Sequence, residues 1–301
     1  MFSQIRRTNI WTVVASEVSK ASGHPFTIRQ RVKLSGGSIN AAFRIDDGEQ
    51  SFLVKLNHQN QLTMFEAERE GLALLRSVGA SVRIPAVVCC GSAQDRSWLV
   101  LEYIPLRPST DGTAEVLGSA MATIHRQTDD RYGWSRDNTI GVTPQMNAQG
   151  DSWRDFFRDH RLGEQLRLAE NNHLDMALLR KGEFVLNACN ALLAGHQPPA
   201  SLLHGDLWSG NQAADQRGAP VVFDPAVYYG DRECDLAMTR LFGGIPDAFL
   251  RAYHDLYPID SGFERRMPLY NLYHLLNHAN MFGGGYVRQA EKTMDRLLMA
   301  L

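Results

Sequence analysis

The stretch Ser201-Leu202-Leu203-His204-Gly205-Asp206-Leu207-Trp208-Ser209-Gly210-Asn211, followed by Val221-Val222-Phe223-Asp224-Pro225, decides how this chain is read. An Asp, an Asn shortly after it and a second Asp at the end of an apolar strand are the parts of a phosphoryl-transfer site. A substrate hydroxyl is far too weak an acid to ionise near neutral pH, so it needs an acceptor within hydrogen-bond reach, and Asp206 is the candidate general base. Asn211 offers a neutral oxygen and Asp224 a charged one, the hard donors that suit Mg²⁺.

Any one of these residues alone is a turn or a helix cap. Together they keep the Asp-to-Asn spacing of the protein-kinase catalytic loop, followed as there by a strand ending in a metal-binding Asp. The expectation is an α+β, two-lobed, protein-kinase-like fold. Residues 1–104 form a nucleotide-binding lobe with a five-stranded antiparallel sheet and a helix, and residues 105–301 a mainly helical catalytic and substrate-binding lobe.

Working back along the chain, apolar residues at helical spacing predict a helix over 9–21, ended at Gly23-His24-Pro25. Arg31–Leu34 and Ala41–Ile45 read as strands on either side of Ser35-Gly36-Gly37-Ser38-Ile39-Asn40. Two adjacent glycines let backbone N–H groups approach a phosphate, and the Ser38 hydroxyl adds a donor. Lys55 interrupts the apolar strand Ser51–Leu56, and the acidic helix that follows, Met64–Leu75, supplies a partner carboxylate. Glu68 shares an inward face with Phe65, Leu72 and Leu75, while Glu66 and Glu70 fall on a more outward one, so Lys55–Glu68 is the expected pair at the nucleotide phosphates. Val82–Val88 and Ser97–Pro105 complete five strands, and Glu102, Tyr103 and Ile104 form the candidate hinge for an adenine edge.

The chain of 301 residues has a formal net charge of −2 and a pI near 6.6, with no electrostatic footprint for nucleic acid or an anionic membrane. Cys89, Cys90, Cys189 and Cys234 lack metal-ligand spacing and read as reduced thiols of a cytoplasmic protein. There is no signal-peptide pattern, spanning apolar run or internal repeat.

In the second half, helices are expected over 113–126, 153–170 and 174–193, with a turn-rich segment between the first two. His125 is assigned packing or capping, Asp231 a cap, and Asp235 a brace for the catalytic loop. Residues 245–301 read as helices packed on this lobe, and Gly283-Gly284-Gly285 as a break between helices.

With these residues assembled, the chain resembles the fructosamine kinase (ketosamine kinase) family, within the aminoglycoside phosphotransferase-like and choline-kinase-like enzymes. The motifs that carry the resemblance are His204-Gly205-Asp206-Leu207-Trp208-Ser209-Gly210-Asn211, Asp224-Pro225-Ala226 with Tyr229-Gly230-Asp231-Arg232-Glu233, Asp137-Asn138-Thr139-Ile140-Gly141, and the helix from Trp153. Trp208 is the discriminating residue. The resemblance implies ATP with Mg²⁺, and phosphoryl transfer to a sugar hydroxyl of a low-molecular-weight ketosamine or a glycated protein, as a deglycation system. It leaves the chain a monomer or weak homodimer. Trp208 is then expected to stack on the sugar. Some relatives carry a Cys where this chain has Ser38, which removes one route to a disulfide-linked dimer. The alternatives are a kinase for another amino sugar, an aminoglycoside or an amino alcohol, and an inactive kinase-like binding module.

Overall fold

The computed structural model describes residues 9–35 and 39–301. The chain divides into two compact units, one comprising the described residues up to Leu74 with Ile84–Pro105, the other Leu75–Arg83 with Leu106–Leu301.

In the first unit, helix α1 (Ile10–Ser22) starts where the Asn9 side chain accepts from the Trp11 N–H, and ends at Gly23 in the left-handed conformation. Strands β1 (Gln30–Lys33), β2 (Ala41–Asp46) and β3 (Ser51–His58) precede helix α2 (Leu62–Ser77), and β4 (Val87–Ala93) and β5 (Arg96–Glu102) follow it. These strands form an antiparallel sheet in the order β1-β2-β3-β5-β4. Val14 and Val18 of α1 bury against Ile45, Val54, Trp98 and Val100 on one face of it. The fourth strand begins later than its β-branched residues suggest. Arg83 instead exchanges backbone hydrogen bonds with Pro220 and Val222, and Pro85 cannot donate to a ladder, so pairing with β5 starts at Val87.

The second unit is mainly helical. Helix α3 (Asp111–His125) is capped by the Thr110 hydroxyl. Short strands β6 (Thr128–Asp129), β7 (Asn138–Ile140) and β8 (Thr143–Gln145) lead to α4 (Trp153–Phe157), α5 (Glu164–Asn171) and α6 (Met176–Leu192). The single helix expected over 153–170 is interrupted by a π-helical segment, Arg158–Gly163, which carries the fully buried Arg161. Its guanidinium lies 3.9 Å from the Tyr228 ring centre and donates to Met146 O and Asn147 Oδ1, so the widened turn aims a charge inward where a regular helix would not.

Then come β9 (Ala200–Leu203), β10 (Gln212–Ala214), β11 (Pro220–Val222), β12 (Tyr228–Gly230), α7 (Glu233–Met238), α8 (Ala248–Leu256), α9 (Phe263–Phe282) and α10 (Gly285–Met299). A Cβ on Gly118 of α3 would meet the Phe249 carbonyl of α8 at 2.1 Å, so the two helices cross in backbone contact. Strand β9 lies between β12 and β6, and all four of its residues are buried, which delivers the following loop from the core. No helix among the described residues is long and apolar enough to cross a membrane.

Candidate active site

In the first unit, the period-two pleat of β3 and the inward face of α2 bring Lys55 and Glu68 together. Lys55 Nζ lies 2.5 Å from Glu68 Oε1, and both side chains are largely buried. Strand β5 ends at Glu102, whose N–H donates to Ala86 O and whose carboxylate accepts from the Ala86 N–H. Tyr103 carries the Arg44 guanidinium over its ring at 5.4 Å, and Ile104 is buried. Gly36, Gly37 and Ser38, the expected phosphate turn, lie outside the described residues.

In the second unit, the chain leaves β9 through His204 and Gly205. Gly205 has φ +82°, and a Cβ there would stand 2.0 Å from Ala226 O, so only glycine permits the turn. The loop is held from below by Asp235 at the start of α7. Its Oδ2 accepts from the His204 N–H at 2.7 Å and its Oδ1 from the Gly205 N–H at 2.9 Å. His125, at the end of α3, bonds Asp235 Oδ2 through Nε2 and the Tyr253 hydroxyl through Nδ1. Burial alone would raise the Asp235 carboxyl, but the hydrogen bond and charge of His125, with His204 and the Gly205 N–H, outweigh it and hold it below the usual range.

The His204 ring links the two halves of the carboxylate pair. Its Nδ1 accepts from the Asp206 N–H at 3.3 Å and its Nε2 donates to Phe223 O at 3.2 Å, which identifies the neutral Nε2–H tautomer. Burial keeps this imidazole below its ordinary value. The same ring therefore fixes the residue carrying the candidate base and the residue before Asp224. Asn211 completes the link. Its Nδ2 donates to Asp206 O at 2.9 Å and Oδ2 at 2.7 Å, while its carbonyl accepts from the Phe223 N–H. Asp224 follows at φ +56°, a left-handed conformation unusual for a residue with a side chain, and is exposed.

The Asp206 carboxylate is half-buried. Burial pushes it up to about 7, with the Asn211 amide pulling against the rise and the Asp224 and Asp235 charges adding to it. A carboxylate so placed has the proton affinity of a general base matched to neutral pH. The Asn211 amide nitrogen is committed to Asp206, so its Oδ1 and the Asp224 carboxylate are the oxygens that fit a hard divalent cation.

Behind Asp224 the segment 224–228 is tied down by residues far away in sequence. Asn138 Nδ2 donates to Val227 O and Gln145 Nε2 to Ala226 O, while the Tyr273 hydroxyl donates to Gln145 Oε1. The Asp137–Gly141 motif thus acts as a scaffold for the loop after β11. Trp208 is half-buried, with its ring over Gly210 and edge-on to Phe242.

A separate cluster, His196, Asp231 and Glu233, also gathers possible metal donors. Its donors are already taken. Arg266 clasps both Glu233 oxygens at 2.7 Å, and His196 and the Tyr270 hydroxyl both bond Asp231 Oδ2. This is a structural ion-pair network. Asp231 also accepts from the Glu233 N–H at the start of α7.

The structure links Asp206 to Asn211 directly and, through His204, to Phe223, the residue before Asp224, whereas sequence reading assigns His204 no part and His125 only packing or capping. Both imidazoles lie in the second unit's core at 0 % exposure, and the signal for them would have been histidines immediately before the Asp206 turn and at the end of an apolar helix face.

Comparison with known proteins adds the following. The profile of the family described as Fructosamine kinase matches residues 10–300. A probable ketoamine kinase from Synechocystis is 44% identical over 294 residues, covering 96% of this chain and 97% of that one. A crystal structure of a Haemophilus somnus protein described as "Putative fructosamine-3-kinase" superposes with a TM-score of 0.88 at 29% identity, covering 96% of this chain and 100% of that one. The aminoglycoside phosphotransferase APH(4)-Ia, in a ternary complex with ADP and hygromycin B, shares the fold with a TM-score of 0.64 at 17% identity, covering 95% of this chain and 98% of that one.

Proposed function

The chain belongs to the fructosamine kinase family, and we propose that it transfers the γ-phosphoryl group of ATP to a sugar hydroxyl of a ketosamine, the adduct of a reducing sugar with an amine. It is an ATP-dependent phosphotransferase with an alcohol group as acceptor. The observation that carries the reading is the Asp206 carboxylate, raised to about 7, bonded to Asn211 and linked through His204 to the residue before Asp224.

In this reading Asp206 accepts the proton of the attacking hydroxyl as the phosphoryl group moves. Asn211 Oδ1 and Asp224 would hold Mg²⁺, which when bound neutralises phosphate charge. Lys55, oriented by Glu68, would hold the α- and β-phosphates. The Glu102 N–H is committed to Ala86, so an adenine edge would bond the remaining backbone groups of Glu102, Tyr103 and Ile104. Trp208 would stack on the sugar, and Trp208→Ala should raise KM for the acceptor. The product would be an unstable phosphorylated ketosamine, consistent with deglycation of small amines or proteins.

The deciding experiment is ATP turnover on fructosyl-lysine, ribulosyl-lysine, free fructose, an aminoglycoside and choline, with the products identified by phosphorus NMR. Phosphate transfer to the ketosamines in preference to the rest supports the reading. Transfer to an aminoglycoside or choline alone would overturn it.

A further inference from the structure

Beyond Trp208 the second unit carries an open, continuous run of aromatic rings that the chemistry at Asp206 does not use. Phe242 stands edge-on to Trp208 with centroids 6.2 Å apart and packs on His278 at 4.3 Å. His278 continues to Tyr286 at 5.0 Å and to Phe282 at 5.6 Å. Phe282 is 55% exposed, and Trp208, Phe242, His278 and Tyr286 are each partly accessible. Ser209 fastens the near end by donating to Phe242 O at 3.0 Å. The wall therefore starts two residues after the candidate base and runs out to solvent.

Two features indicate what the wall is made to meet. Elsewhere in this unit aromatic faces are already covered by protein cations, as where Arg232 lies 3.6 Å from the Tyr257 ring centre and Arg161 3.9 Å from that of Tyr228. Among the described residues no Lys or Arg stands over Trp208, Phe242, Phe282 or Tyr286, so these π faces remain open to a cation from outside. The second feature is the His278 tautomer. Its Nδ1 lies 2.9 Å from His274 O, and because a carbonyl only accepts, Nδ1 carries the hydrogen. Burial keeps the ring below its ordinary pKa, so it is neutral and Nε2 is an acceptor. An aromatic wall with one acceptor nitrogen and no cation of its own suits an ammonium group on a carbon chain.

We propose that the wall formed by Phe242, His278, Phe282 and Tyr286 binds the protonated secondary amine of the acceptor and the carbon substituent it carries, and so selects amine-bearing sugars over free sugars. The proposal rests on the ketosamine reading above. Trp208 belongs to the sugar end, and the exposed Phe282 and Tyr286 to the amine end, where a large substituent has room.

The test compares kcat/KM for an N-alkyl fructosamine, the ether analogue with oxygen in place of its nitrogen, and free fructose. The variants are Phe282→Leu, which keeps apolar area without a π face, the double variant Phe282→Leu/Tyr286→Leu, and Tyr286→Phe. Phe184→Leu on the exposed face of α6 is the control. Loss of exposed cation–π contacts should lower the amine-to-ether preference by roughly fivefold to tenfold in the double variant and by less in Phe282→Leu. Tyr286→Phe, which keeps the π face, should retain more of the preference than the double variant, and the control should keep the wild-type preference. An unchanged preference in the double variant, or equal use of amine and ether by the wild-type protein, overturns the proposal. Wild-type protein that turns over no ketosamine overturns the functional reading instead. The wall is then judged by equilibrium binding of the same amine and ether: a preference for the amine that the double variant loses supports it, and equal affinity overturns it.

Discussion

Lys55 and Asp206 are both ionisable groups withdrawn wholly or partly from water, and the protein treats them in opposite ways. Lys55 has its counter-charge 2.5 Å away in Glu68, one side chain on a strand and the other on the helix that follows. Asp206 is surrounded by an amide, a neutral imidazole and two further carboxylates, and it responds by holding its proton up to about pH 7. The first arrangement sets a cation against a carboxylate, which suits the phosphate ligand proposed for Lys55. The second raises a carboxylate toward neutral pH, which suits the base proposed for it. A strained group must be held by something that is not strained, and here that is the Asp235–His125 network under the loop.

That contrast can be broken at its strongest point first. Asp235→Ala would leave the buried His204 and Gly205 N–H groups and His125 without their acceptor, and should cost about 3–5 kcal/mol in urea denaturation. Asp235→Asn keeps one acceptor oxygen and should cost distinctly less. If the Ala variant is as stable as the wild type, the loop is held by something else.

Breaking the other pair should have a smaller and more local effect. Glu68→Ala removes the carboxylate 2.5 Å from Lys55, which is 7% exposed, and is expected to cost about 3 kcal/mol or less, with a raised KM for ATP and little change in KM for the acceptor. A rise confined to the acceptor would place the pair's role elsewhere.

The smallest expected effect has the opposite sign. An unfolded Asp titrates near 3.8, whereas folded Asp206 titrates near 7, so between those values the folded state holds a proton that the unfolded state has lost. Stability therefore falls as pH rises through this window, and the cost is fully present above it. Asp206→Asn, in protein without added Mg²⁺, should raise Tm relative to the wild type, by more at about pH 8 than at about pH 5. A variant that melts lower at both values would show that the carboxylate is not under strain.

How much of this was legible in the chain follows from the range of the interactions. The sheet with its helix, and the Asp206–Asn211–Asp224 series, are local patterns: alternation in Ser51–Leu56, helical spacing in Met64–Leu75, a glycine before an Asp. The strand expected at Val82 starts at Val87 because Arg83 bonds to residues more than a hundred positions away, which no local pattern records. The π segment at Arg158–Gly163 is invisible to periodicity because its purpose is the placement of Arg161 against Tyr228. Asp235 was recognisable as a brace, but the matching roles of His125 and His204 were not, since each depends on a tertiary partner. The aromatic wall was hidden for the same reason, with Trp208, Phe242, His278 and Tyr286 drawn from four separate segments.

The central claim is that Asp206 takes the proton of a ketosamine hydroxyl during phosphoryl transfer. Its most direct test is single-turnover transfer from ATP to fructosyl-lysine, followed by phosphorus NMR, in the wild type and in Asp206→Asn, with nucleotide affinity measured in parallel. The account predicts a sugar phosphate ester from the wild type. In the variant it predicts a rate lower by about 10²–10⁴ with nucleotide affinity retained. Wild-type turnover preserved in Asp206→Asn would contradict it.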